Sequence, residues 1–208
     1  MITFERVQQK VSHGAQKVPW LTLALSALVG IFYLSGSRAF EFLVFDKEAI
    51  LRGEIWRFFT GHFVHFGFEH FIWDFLALII LGAVIELNDP RKLAGAFLTS
   101  CMFVSTWLIF GGGGKDTYCG LSGALSGLLV VAVFVQYQVT HNKISFLVLL
   151  GAFLKIVFEL LSHKTLFVVS VSPVPTVHFT GFISGFLYSI LMEVVIKSKA
   201  MSIGDTRE

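Results

Sequence analysis

Charge is what this chain has least of. Only 14% of its 208 residues are Asp, Glu, Lys or Arg, and the two signs nearly cancel at a net charge of +2. The basic residues are dispersed rather than gathered on one face, which argues against a nucleic-acid partner. Cysteine is scarce as well. The two present, Cys101 inside an apolar run and Cys119 in a polar loop, imply no disulfide framework. A small-x-small cleavage site is missing after the first apolar run, Pro19 to Leu34, so that run reads as a retained anchor rather than a removed leader. What remains is apolar: 55% hydrophobic and 15% aromatic residues, with a mean hydropathy of +0.76. Average soluble domains are far more polar, and the bilayer is the natural solvent for such a composition.

A helix needs about 20 apolar residues to cross the hydrocarbon core, fewer where it ends in a protein-lined cavity. Six segments meet or approach that length: Pro19 to Ser35, Phe63 to Leu87, Leu93 to Phe110, Leu121 to Val139, Ile144 to Leu161 and Val177 to Ile196. Asn88-Asp89-Pro90, the glycines from Gly111 to Gly114, and Pro173 with Pro175 punctuate them. The expected fold is therefore an all-α membrane protein, a six-helix bundle over 19–197 with a short segment (1–18) before it and a tail (198–208) after it. The long connection from Gly36 to Thr60 mixes aromatics with charges and is expected to be an interfacial, partly helical loop.

Six spans place both termini on one side. Arg6, Lys10, Lys17, Arg91, Lys92, Lys143, Lys197, Lys199 and Arg207 fall on that side and outnumber the basic residues opposite, so the termini are expected to be cytoplasmic. Ser122 and His178 then both lie toward the outer ends of their helices.

The stretch Y-C-G-L-S-G-A-L-S-G from Tyr118 to Gly127 sets a serine between Gly120 and Gly123 where a polar loop turns into an apolar helix. The plain reading is packing, because Gly123 and Gly127 form a small-xxx-small pattern. The same stretch also offers half of an acyl-transfer site. A helix start presents unpaired N–H groups and the positive end of the dipole, and glycines let substrate come close to the backbone. A nucleophilic serine further needs a base within hydrogen-bond reach. His178 opens H-F-T-G-F-I-S-G, in which Gly181 and Gly185 make a second stripe just below it. Two glycine-striped helices can pack closely enough for a Ser122–His178 contact. Cys119 is read as a small loop residue, since no histidine is better placed for it than for Ser122.

A third cluster reads G-H-F-V-H-F-G-F-E-H-F-I-W-D from Gly61 to Asp74. His70 and Asp74 are one turn apart and share a helix face, and polar groups inside a membrane bundle are expensive enough to suggest a function. His62, His65 and Glu69 are open to the simpler reading that they lie in the wet headgroup region. A metal site is the other alternative, but the zinc-helix pattern His-Glu-x-x-His is absent, and neither metal nor cofactor is expected. Lys155 and Glu159, at i and i+4, are expected to pair. The segment from Ser162 to Pro175 is expected to cap the outer side.

Taken together, Trp56-Arg57, the histidine-rich start of the second helix, Gly82 and Glu86 near its end, G-x-S-G at 120–123 and H-x-x-G-x-x-x-G at 178–185 resemble the rhomboid intramembrane serine proteases, in order and spacing across all six spans. The resemblance implies a Ser122–His178 dyad without a third acid and peptide-bond hydrolysis in or near the membrane. It also implies an oxyanion site from the Ser122 N–H, with Leu121 beside it, and the His70 side chain. The implied substrate is a membrane-anchored protein with a C-terminal transmembrane helix, met within the lipid bilayer. Two positions depart from the family pattern: Asp74 stands where Asn is usual, and Ser126 where an aromatic follows the serine by one turn. Asp74 is expected either to be protonated or to orient and charge His70. The Asp and the G-L-S-G-x-L-x-G core look most like the bacterial rhombosortase branch, which implies processing of secreted proteins at C-terminal glycine-glycine signals, in the inner membrane, with the site opening to the periplasm. The rival reading is a catalytically impaired relative that binds membrane clients without cutting them, as derlins do.

Overall fold

The first helix, α1 (Trp20–Leu34), is only 15 residues long and turns through 116° into α2 (Gly36–Leu43). The computed structural model describes residues 17–111, 116–162 and 174–205. After α2 come β1 (Phe45–Asp46), α3 (Lys47–Leu51), α4 (Arg57–Thr60), α5 (Phe68–Glu86), α6 (Pro90–Phe110), β2 (Thr117–Tyr118), α7 (Ser122–Thr140), α8 (Ser145–Ser162) and α9 (Pro175–Asp205). Five helices, α5 to α9, are long and apolar enough to cross a membrane, or six if the bent α1–α2 pair counts as one span. The chain is an all-α membrane bundle.

α7 occupies the middle, packed against α5, α6, α8 and α9, and one large apolar cluster joins it to α1, α5 and α6 through Val29, Leu78, Ile85, Leu93, Leu121 and Leu128. The N-terminus of α1 is capped from a distance. The Glu86 carboxylate, at the far end of α5, accepts from the Leu21 N–H, the Thr22 N–H and the Thr22 hydroxyl, each at 2.7 Å. The two N–H groups are orphan donors of a helix start, and an anion there also suits the dipole.

The connection from 36 to 60 is partly helical, as expected. Trp56 donates its indole N–H to the Phe42 carbonyl at 3.1 Å, and the Arg57 guanidinium reaches the Glu41 and Val44 carbonyls and the Glu54 carboxylate. The loop thereby folds on itself. It also reaches the strand before the central helix: β1 pairs antiparallel with β2, Phe45 opposite Tyr118 and Asp46 opposite Thr117.

Three helix boundaries differ from the sequence reading. Asn88-Asp89-Pro90 ends α5 but also starts α6: Asp89 accepts from the Arg91 N–H at 2.9 Å as N-cap, and Pro90 fills the first turn, where no donor is needed. α5 begins at Phe68 rather than Phe63, because Gly67 adopts φ +86° and reverses the chain. α9 begins at Pro175 and continues to Asp205, past the expected end near Ile196. Most of the N-terminal segment (1–16), part of the glycine run (112–115), most of the expected cap (163–173) and the end of the tail (206–208) lie outside the described residues.

Candidate active site

Ser122 is the first residue of α7 and His178 the fourth of α9. Remote in the chain, they meet: Ser122 Oγ and His178 Nε2 are 3.0 Å apart. Both side chains are partly accessible.

Glycine makes the approach possible. A Cβ on Gly181 would fall on the Gly123 carbonyl, and one on Gly185 on the Gly127 carbonyl. Likewise a Cβ on Gly127 would strike the Ser100 hydroxyl and come within 2.7 Å of the Gly181 carbonyl oxygen. The two stripes therefore face each other in register, 123 with 181 and 127 with 185, so that the backbones of α7 and α9 touch. Ser184 closes the seam at the side, bonding the Gly181 carbonyl at 2.6 Å and the Ser100 hydroxyl at 2.9 Å.

Ahead of Ser122 the loop is held from three directions. Gly120, at φ +107°, donates its N–H to the Gly61 carbonyl at 3.1 Å, and its carbonyl accepts from the Tyr118 hydroxyl at 2.8 Å. A side chain at 120 would meet both the wrong φ and the His70 ring, 2.5 Å from where a Cβ would sit. The Leu121 N–H goes to Asp74 Oδ2 at 2.8 Å. This corrects the expectation for Leu121: its donor is already engaged by a carboxylate and does not face an oxyanion. The donors of the α7 start that remain are those from Ser122 onward, whose N–H groups have no preceding helical turn to pair with.

Asp74 thus acts on the loop rather than chiefly on His70. Its Oδ2 also takes His65 Nε2 at 3.0 Å, with His70 Nε2 farther away at 3.5 Å. His70 Nδ1 is buried without a partner among the described residues, while Nε2 lies beside both Gly120 and Asp74 Oδ2. Ser126 turns its hydroxyl back to the Ser122 carbonyl at 2.9 Å, a bond within its own helix.

The headgroup reading fails for His62 and His65, which are buried, and fits Glu69, which is exposed. His62 bonds Ser105 Oγ at 2.9 Å. Because the Ser105 hydroxyl donates to the Phe58 carbonyl at 2.6 Å, His62 must be the donor of that pair. Burial lowers its pKa to about 4, so it stays neutral. Burial also pushes the Cys119 thiol up to about 11, which keeps it out of the thiolate form a nucleophile needs.

His65 is a neighbour of the site that the sequence pattern hides. Nine residues separate it from Asp74, a spacing without helical meaning until the positive φ at Gly67 folds the loop back. Together His65, His70 and Asp74 offer one ligand atom each, all within 4.8 Å of one another. Such a set has the donor types of a divalent metal site, although the direct His65–Asp74 hydrogen bond already accounts for their closeness. The second neighbour is Glu159, on α8. It pairs with Lys155 at 2.8 Å, and the same oxygen lies 4.0 Å from His178 Nδ1.

A membrane-spanning helical bundle, here with a serine and an imidazole in contact at a glycine-lined helix start, defines the class: a multi-pass integral membrane protein. Comparison with known proteins narrows it, since the Rhomboid domain matches residues 52–194. The chain belongs to the rhomboid family of intramembrane serine proteases, which act on membrane-protein substrates within the bilayer. No curated protein matches it.

Proposed function

We propose that this protein is an intramembrane serine endopeptidase working through Ser122 and His178. The observation that carries the reading is the 3.0 Å separation of Ser122 Oγ and His178 Nε2, within the reach a general base requires. As Oγ attacks the scissile carbonyl carbon, its proton passes to His178 Nε2. The Ser122 N–H and His70 Nε2 hold the oxyanion. Collapse breaks the C–N bond, His178 gives the proton to the leaving amine, and an ester on Ser122 remains. Water, deprotonated by His178, then attacks that ester and restores the serine.

The narrower reading is a rhombosortase. It is supported by Asp74 and the G-L-S-G-x-L-x-G core, and its substrates are secreted proteins held by a C-terminal transmembrane helix after a glycine-glycine motif. In that reading the protein sits in a bacterial inner membrane, termini cytoplasmic, with the site open to the periplasm.

Two measurements test this. A fluorophosphonate probe should label the wild-type protein and neither Ser122→Ala nor His178→Ala. An unlabelled wild type that still binds membrane clients would favour the client-binding alternative. Co-expression with candidate anchored proteins, followed by mass spectrometry of new C-termini, should find cuts beside glycine-glycine motifs. Cuts elsewhere would leave a peptidase without the sorting role.

A further inference from the structure

His178 lacks the brace that the family pattern would supply on one side. The aromatic expected one turn after the nucleophile is Ser126, and its hydroxyl is spent on the Ser122 carbonyl. On the opposite side α8 brings up an acid. The Glu159 side chain is 2% exposed and its Oε2 lies 4.0 Å from His178 Nδ1, while the same oxygen takes Lys155 Nζ at 2.8 Å. A carboxylate this deep in a membrane bundle is costly, and such groups mark function more often than packing. Lys155 is 32% exposed, so the pair is lopsided: the cation reaches outward and the buried end is the one that meets the imidazole.

We propose that Glu159 is the positioning acid of the site: facing His178 Nδ1, it orients the imidazole and stabilises the imidazolium formed when Nε2 takes the Ser122 proton. The proposal rests on the peptidase reading. It replaces a dyad without a third acid by a Ser122–His178–Glu159 arrangement in which Glu159 acts only through His178.

Proton accounting fixes the requirement. For Nε2 to accept from Ser122, the neutral ring must carry its one proton on Nδ1, and an acceptor facing Nδ1 selects that tautomer. When Oγ loses its proton to Nε2, both ring nitrogens are protonated, and the new positive charge lies beside Glu159. The proton on Nδ1 stays there, and none is passed on to Glu159. At 4.0 Å the contact is electrostatic rather than a hydrogen bond. A shift of about 1 Å by α8 or by the carboxylate would bring it to bonding distance.

The test is fluorophosphonate labelling of the full-length protein in detergent, with the maximal inactivation rate and the probe's half-saturation measured separately and Tm measured alongside. Glu159→Gln keeps the shape and removes the charge. It should lower the maximal rate by about tenfold or more while half-saturation and Tm stay close to wild type. Glu159→Asp should recover part of that loss. Lys155→Met, which leaves the carboxylate in place, should label within about threefold of wild type, and Lys155→Met/Glu159→Gln should be as slow as Glu159→Gln alone. The double variant leaves no unpaired lysine, so it decides the matter if Glu159→Gln does not fold. Equal losses in the two single variants, with the double variant restored, would mean the pair serves packing and would overturn the proposal. Ser122-dependent labelling that Glu159→Gln leaves unchanged would overturn it alone, with the peptidase reading intact. A wild-type protein that never labels at Ser122 would bring down both.

Discussion

α9 is held on two sides by opposite means. Against α7 it lies backbone to backbone, with Gly181 on the Gly123 carbonyl and Gly185 on the Gly127 carbonyl. Against α8 it meets side chains, among them Phe153 packed on Phe182 with ring centroids 6.0 Å apart. In α7, 56% of the spanning window is buried inside the protein, and in α8 only 17%. The serine and the imidazole sit at the head of the tight seam, where the closest approaches at Gly181 and Gly185 are to backbone carbonyls rather than to side chains that could yield or tilt. A 3.0 Å contact needs that kind of fixity, whereas the 4.0 Å approach of Glu159 belongs to the side that has room to adjust.

The largest effect is expected where the tight seam is wedged open. Gly181→Leu drives a side chain into the Gly123 carbonyl, which belongs to backbone and cannot swing aside. Labelling of Ser122 should disappear, and Tm should fall by the equivalent of about 1–3 kcal/mol of overpacking. Labelling that survived within about threefold of wild type would mean that α9 slides along α7 freely, and the rigid seam would be an illusion.

A smaller effect separates the two polar groups behind the serine. His70→Ala removes an oxyanion donor, so labelling and turnover should fall by about 100- to 1,000-fold, or about 2.7–4 kcal/mol of barrier. Asp74→Asn is expected to keep substantial activity. An amide oxygen still accepts from the Leu121 N–H, and the loop remains where the carboxylate held it. Inactivity of Asp74→Asn with an unchanged Tm would show that the charge itself enters the chemistry.

Much of this arrangement is legible in the residues because it is periodic. Gly123-xxx-Gly127 and Gly181-xxx-Gly185 announce close seams, and each places a reactive residue just above its stripe, so the helical repeat permits the contact of Ser122 with His178, while the resemblance to the rhomboid family is what pairs the two. What resists reading is aperiodic. Nothing local says that the Leu121 N–H turns to Asp74 instead of outward, because that depends on the positive φ at Gly120 and on the tie to Gly61. His65 reaches Asp74 only through the reversal at Gly67. Glu159 reads as the partner of Lys155, which it is; its second neighbour depends on how α8 is rotated against α9, and the sequence of neither helix states that angle.

The mildest prediction concerns a glycine on the loose side. Gly151 is exposed on α8, and a Cβ built there meets nothing within 4 Å, in contrast to the carbonyls that await one at 181 and 185. Gly151→Ala therefore has no packing cost, and alanine is the better helix former, by about 1 kcal/mol in water. Labelling should stay within about twofold of wild type, and Tm should hold or rise slightly. The measurement is small but it discriminates. If Gly151→Ala slowed labelling as Gly181→Leu is expected to, then α8 would need the freedom of a glycine to do its part, and looseness on that side of His178 would itself belong to the mechanism.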